Sequence, residues 1–273
     1  MSEEQRINVC KTGLNQIYTM LRNSPQSYRD YLNLGRSVIA HINSTTFVQQ
    51  AARTAEQAWM VAGLQRLAAL DDGNGATLDI TTWCSQQWML LHQRDPRNVG
   101  ALRGLGQAWM TRAQPVLSRI HRIDGSSSSS GDSGSRSVRS ITSSEDERQN
   151  AAATAEAERR SGTQDYVEAR GYLQPATEYL ERAVAAAIEQ ETLSGDLLAT
   201  VGSLEILVIG IVSNVEQQTA EAYMSLGNAS SPRVNERFFR RALQLLRAAS
   251  QIEGYSLSRY LQQYLDDYGR LLD

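Results

Sequence analysis

Side chains able to do chemistry are sparse in this 273-residue chain. Its three histidines are His41, His92 and His121. None lies four residues from another, and none sits beside a cysteine at zinc-ligand spacing. His92 follows Leu90-Leu91 near an expected helix end, where a cation suits the helix dipole. Asp266-Asp267 is the one acidic pair that suggests a metal. Adjacent residues on a helix point about 100° apart, so a solvated face is the plainer reading. The nucleophile-elbow, phosphate-loop and dinucleotide-loop motifs are all absent. No catalytic residue, metal ligand or cofactor is expected, and the chain does not read as an enzyme.

Serines offer a second kind of chemistry. Arg136-Ser-Val-Arg139 places basic residues just before Ser140. Ser143 and Ser144 each have an acid three residues on, Asp146 and Glu147. These contexts suit basic-directed and acid-directed kinases, and each phosphate would add about −1.5 to −2 charge. A passive linker is the alternative.

Composition narrows the class further. A 41% hydrophobic content can build a sizeable core. The net charge is −3 with both signs spread along the chain, so no basic stripe suggests nucleic acid. Two cysteines, Cys10 and Cys84, are no disulfide framework and suit a reducing compartment. The start, Met-Ser-Glu-Glu-Gln-Arg, resembles neither a secretory nor a mitochondrial leader. The longest apolar run, Leu204 to Val215, contains Glu205 and falls short of the ~20 residues that span a bilayer. An intracellular protein, cytoplasmic or nuclear and without membrane insertion, is expected.

The elements that must position any site read as helices. Ser2 with Gln5 forms a capping box, followed by Ile7, Cys10, Leu14, Ile17 and Leu21 at helical spacing. Ser24-Pro25 and Ser231-Pro232 each read as a cap followed by a first-turn proline. Further helices are expected over about 46–70, 79–93 and 97–112. Pro115 is expected to interrupt the last of these, with a short helix to Ile123 beyond it. From Asp124 to about Glu147 there is little to bury, which predicts disorder. A weak helix over 148–160 follows. Beyond it come a helical face through Tyr172 and Leu180, a helix capped by Ser194 and running to Leu226, and one to Gln251. A final helix is expected to bury Leu257, Tyr260, Leu261, Tyr264, Leu265 and Tyr268. The tryptophans Trp59, Trp83, Trp88 and Trp109 fall among Leu and Ala, as inter-helix core rather than base-stacking platforms.

Asp95-Pro96-Arg97-Asn98, then Ala101, Leu102, Leu105, Gly106, Ala108 and Trp109, resembles the inter-repeat turn and first helix of tetratricopeptide repeats. Tyr31-x-x-Leu34-Gly35-x-x-Val38 fits the same template, and Trp59-x-x-Ala62-Gly63 is a degraded copy. Gly35 and Gly106 are 71 positions apart, close to two repeats of about 34. Near the C-terminus, Ala222-Tyr223-x-x-Leu226-Gly227 followed by Phe238-Phe239-x-x-Ala242-Leu243 resembles a first helix, turn and second helix. The resemblance implies an all-α fold of stacked antiparallel helix pairs, a solenoid interrupted by a disordered Ser-rich loop. The regions would be 1–123, a linker over 124–164, and 165–273. An irregular helical bundle is the alternative.

The run 202–218 departs in character, with β-branched residues and Gly210. Removing it would join two halves of a regular repeat helix. It reads either as a buried helix or as a translated retained intron. The resemblance implies a protein-binding scaffold or adaptor, with Asn33, Arg36, Arg103, Gln107 and Arg112 facing a peptide groove and the Ser-rich loop open to phosphorylation. One or more proteins are the expected partners. The alternative is a subunit packed permanently in a larger complex through Tyr260, Tyr264 and Tyr268.

Overall fold

The computed structural model describes the backbone of residues 1–71, 75–128, 143–198, 205–252 and 255–272, and side chains except those of 124–147, 149 and 191–213. Among these residues the regular structure is helical, with no strand. The helices are α1 (Glu3–Asn23), α2 (Tyr28–Asn43), α3 (Thr54–Ala68), α4 (Leu78–Arg94), α5 (Val99–Ser128), α6 (Ser143–Ser161), α7 (Gln164–Leu198), α8 (Glu205–Asn228), α9 (Pro232–Ser250) and α10 (Arg259–Tyr268). Contacts divide the chain into two compact units, Met1–Thr111 and Arg112–Asp273. The division falls inside α5 rather than in the Ser-rich stretch.

In the first unit, α1 begins with the expected capping box: Ser2 Oγ accepts from Gln5 N, and Gln5 Oε1 accepts from Ser2 N. Its buried stripe of Ile7, Cys10, Leu14 and Ile17 lies against α2 and α3. Cys10 meets Val38 near the middle of α2, and Arg6 donates to the Ser44 carbonyl beyond its end, so α1 and α2 run antiparallel. Thr77 bonds the Ala68 carbonyl and Cys84 the Val61 carbonyl, which makes α3 and α4 a second antiparallel pair. The α1–α3 contacts run in parallel, from Arg53–Glu4 through Lys11–Glu56 to Tyr18–Trp59. The first half of α5 continues the series, with Gly100 beside Ala58 and Gly104 beside Gln65. Thus α1, α3 and the first half of α5 lie side by side, with α2 packed on α1 and α4 on α3.

The turn before α5 is held by its own side chains. Asp95 Oδ1 accepts from Arg97 N, and Asn98 Oδ1 caps α5 by accepting from Ala101 N at 2.9 Å. The period of tetratricopeptide repeats does not follow. Helices α1, α3 and α5 begin at residues 3, 54 and 99, steps of 51 and 45, against about 34 in that family. Gly35 stands on α2, a second helix, whereas Gly106 stands on α5. Their separation of 71 therefore does not relate equivalent positions. A Leu-Gly pair marks close approach of two helices, and both first and second helices need that.

Several expected boundaries move. Residues 25–27, 47–49 and 51–53 form 3₁₀ turns before the α-helices take over. Glu3 holds the second of these segments by accepting from Thr46 N and Oγ and from Gln50 Nε2, which competes with an earlier helix start. Ser24 and Ser231 provide no side-chain cap bond. Gly75 takes φ +75°, the left-handed turn that ends the α3–α4 connection. Pro115 does not break α5. It deletes one amide, the partner of the Thr111 carbonyl, and burial of Ala113, Val116 and Ile120 holds the helix through that defect. Pro175 likewise lies inside α7, and Ser194 is an interior residue of that helix rather than a cap.

In the second unit α8 packs against both α7 and α9. Gly227 lies under Phe239, and Tyr223 stacks on Phe238 with ring centroids 6.3 Å apart. These are the aromatic positions that the sequence pattern marked. Arg241 of α9 makes a two-pronged pair with Glu181 of α7 at 2.6 and 2.9 Å. Arg170 donates to the carbonyls of Ser161 and Ala229, filling open helix ends. In the anomalous run, Val215 is fully buried, Glu216 is 5% exposed, and Tyr255 donates to Gln217. Residues 205–218 of the run lie in α8, and of the five side chains described there Val215 and Glu216 are buried. The expected linker is partly helical too: Asp124–Ser128 extend α5 and Ser143–Glu147 open α6. An anchored helix propagates cheaply, whereas a new one must nucleate. The stretch 129–142 lies outside the described residues.

Candidate functional site

Three parallel helices of the first unit bring an aromatic and two cations to one face. On α1, Tyr18 is half-buried and donates its hydroxyl to the Trp59 carbonyl at 2.9 Å. Its ring stacks on Trp59 with centroids 5.4 Å apart. Gly63 leaves room for that ring, since a Cβ there would come within 3.0 Å of Leu14 Cδ2 and Tyr18 Cζ. The exposed Arg66, one turn further along α3, sets its guanidinium 5.9 Å from the Tyr18 ring centroid.

The α3–α5 contact supplies the second cation. Gln65, only 9% exposed, donates from Nε2 to the Gly104 carbonyl at 2.8 Å and accepts from Trp88 Nε1 at 2.8 Å. This buried bridge fixes Gln65-Arg66 against Arg103-Gly104. Arg103 is half-buried, and its guanidinium is held below its ordinary value by burial and then by the like charge of Arg66. Burial pushes the Tyr18 phenol up, while the two arginines act in the opposite sense. Such a face can bind an anion and offer ring surface beside it. It contains no nucleophile paired with a base.

The residues expected to face a groove do not all meet. Arg103 belongs to the cluster just described. Gln107 is half-buried one turn further along α5. Arg112 is exposed; nine residues from Arg103, it points about 180° away on an α-helix. Asn33 and Arg36 lie on α2, a second helix. Arg36 Nε donates to Asp79 Oδ2 at 2.7 Å and Nη2 to the Ala76 carbonyl at 2.7 Å, while Asn33 Oδ1 accepts from Nη1 at 3.4 Å. That bond from Arg36 holds the Asp79 carboxyl below the usual carboxylate range. Arg36 thus ties the start of α4 to α2, beside an open hollow of about 660 Å³ lined also by Leu78, Thr82 and Trp83.

Tyr18 and Arg66 are the residues that the sequence reading missed. The signal was available in part. Arg66 falls seven residues after Trp59, on the same helical face, but nothing local says that α1 lies beside α3. Of the serines with kinase contexts, Ser143 and Ser144 open α6, and Ser140 lies outside the described residues. Among the described residues there is no cluster of three or more His, Cys, Asp or Glu able to hold a metal. No helix among them is long and apolar enough to cross a membrane. A scan against protein-family models gives no match for the chain, and a search of the curated proteins gives none either.

Proposed function

We propose that the chain is a non-enzymatic scaffold or adaptor that binds other proteins through the face shared by α1, α3 and α5. The observation that carries this reading is that three parallel helices bring Arg66 over the Tyr18 ring and fasten the neighbouring Gln65 to the Gly104 carbonyl beside Arg103. Stacked helix pairs of this kind present extended surfaces on which a partner segment can lie. Tandem affinity capture of the full chain, compared with an Arg66→Ala/Arg103→Ala double variant, tests it. Partners retained by the natural chain and lost by the double variant support the scaffold. An unchanged partner set, with the variant folded by circular dichroism, removes this face from the mechanism. Ser143 and Ser144 are the proposed control points. Added phosphate charge at the start of α6 suits the positive end of the helix dipole and would strengthen that helix.

A second reading has its own observation. Helix α10 buries Leu261 but leaves Tyr260 67% exposed, Tyr268 50% exposed and the following Leu271 55% exposed. This differs from the expectation that the tyrosines are all core: among the described residues, α9 and the 3₁₀ turn at 269–272 are the main elements packed beside α10. A permanent place in a larger complex would cover this stripe. Purification as a stable monomer, measured by light scattering, would count against that alternative.

A further inference from the structure

Helix α10 carries three tyrosines four residues apart, Tyr260, Tyr264 and Tyr268. Side chains that repeat every four residues form one continuous ridge on an α-helix. Tyr264 is half-buried at the middle of this ridge, its ring centroid 5.0 Å from that of Tyr268. Tyr260 and Tyr268 are exposed, and the exposed Leu271 extends the line beyond the helix. Leu261 anchors α10 in the core. The ridge lies about 60° around the helix from that anchor.

The charged residues of α10 stand mostly off the ridge. Arg259 and Asp266 point about 140° and 160° away from Tyr264. Asp267 borders it, seven residues after Tyr260 and therefore on the same flank. Depletion of charge together with exposed tyrosine is the composition of an interface centre. Aromatic rings give a large gain on leaving water, and no ion has to be desolvated with them.

The order of residues selects the occupant. The ridge reads the same in both directions from Tyr264. A two-fold axis beside Tyr264 therefore lays it antiparallel on a second copy of itself, with Tyr260 of one copy level with Tyr268 of the other. Ridges of this spacing from two helices interdigitate at a crossing angle of about −50°. The same axis brings Asp267 of one copy level with Leu261 of the other, one residue from Tyr260 and on the same flank. The exposed Tyr260 hydroxyl is a donor and the exposed Asp267 carboxylate an acceptor. Two-fold symmetry makes that match twice, once in each half of the contact. Parallel pairing would set Asp267 against Asp267 and lose both matches.

We propose that α10 is a self-association helix, which packs antiparallel on α10 of a second copy of this chain with Tyr264 at the two-fold axis and Tyr260 donating to Asp267 across it. This inference rests on the second reading, that the α10 stripe is covered in the assembled protein, and names the cover. The α1–α3–α5 face takes no part in it.

Sedimentation equilibrium of the full chain across the micromolar range tests the pairing. The natural chain should rise reversibly from one toward two monomer masses. Tyr260→Lys/Tyr268→Lys sets like charges level with each other at both ends of the contact and should weaken association at least about tenfold. Tyr260→Lys/Tyr268→Glu sets opposite charges level in the antiparallel register and should associate within about threefold of the natural chain. Both positions are exposed, and unchanged thermal melts by circular dichroism check that each variant is folded. A natural chain that stays monomeric overturns the proposal, and so does full dimerisation of the double-lysine variant. A lysine–glutamate variant as weak as the double-lysine variant overturns the antiparallel register and the proposal with it. If the natural chain is monomeric, yet the double-lysine variant loses partners that the natural chain retains in affinity capture, the stripe meets a different protein. The second reading then stands and the self-pairing falls.

Discussion

Replacing Gly104 by alanine should destabilise the first unit, although alanine is the better helix former. In α5 a Cβ at residue 104 would sit 2.5 Å from both Cδ2 and Nε1 of Trp88. Trp88 is 2% exposed and cannot swing away without opening the core. Its indole N–H is tied to Gln65, which is tied back to the Gly104 carbonyl. Overpacking of this kind costs about 1–3 kcal/mol, and loosening two buried hydrogen bonds adds about 0.5–1.5 kcal/mol each. Against this stands about 1 kcal/mol gained in helix propensity. The net loss is about 1–5 kcal/mol, worth a fall of roughly 5–30 °C in the melting of a unit of this size. Gly171, exposed within α7 and with nothing near its would-be Cβ, is the control. There alanine should stabilise by up to about 1 kcal/mol. Thermal melts followed by far- and near-ultraviolet circular dichroism read both. If Gly104→Ala raises the melting temperature as Gly171→Ala does, Trp88 does not lie over that glycine, and the α3–α4–α5 contact is misread.

Three further outcomes are expected. Cys10 and Cys84 are each about 1% exposed and burial pushes both thiols up, so a thiol reagent should leave them unmodified in the native protein. Full modification in denaturant is the control, and rapid native labelling of either would contradict their core positions. Stability should fall as pH rises from about 10 toward 12. Burial raises the phenols of Tyr18, Tyr255 and Tyr264, and lifts that of Tyr223, which also faces Glu181, to about 12. The fold then keeps protons that the unfolded chain releases near pH 10, so this contribution is complete below pH 10 and is lost above it. Denaturant midpoints across that window check the sign. Finally, Arg241→Met should cost about 1–2 kcal/mol, because it leaves the partly buried Glu181 without its two-pronged partner. A urea midpoint equal to that of the natural chain would show that the pair is idle.

Helix identity was legible locally because its causes are local. The Ser2–Gln5 capping box, the stripe from Ile7 to Ile17 and the Asp95–Asn98 turn each arise from residues within a few positions of one another. The same locality explains the errors. Pro115 is a break signal by backbone chemistry alone, and only the burial of Ala113, Val116 and Ile120 makes a continuous α5 the lower-energy state. Tyr260 and Tyr268 fit a buried stripe by spacing, but whether that stripe meets a neighbour is a matter of which helices surround α10.

By itself, the sequence determined an all-α chain of amphipathic helices with close-packing glycines, and half of the candidate cation pair. Only the tertiary structure decided that α1, α3 and the first half of α5 run side by side, so that Arg66 comes over the Tyr18 ring and Gln65 reaches the Gly104 carbonyl, while Arg36 binds Asp79. The physical reason is range. Helix formation is set over about four residues, whereas these groups are joined by hydrogen bonds such as Tyr18–Trp59 and Gln65–Gly104, which span about 40 positions of chain.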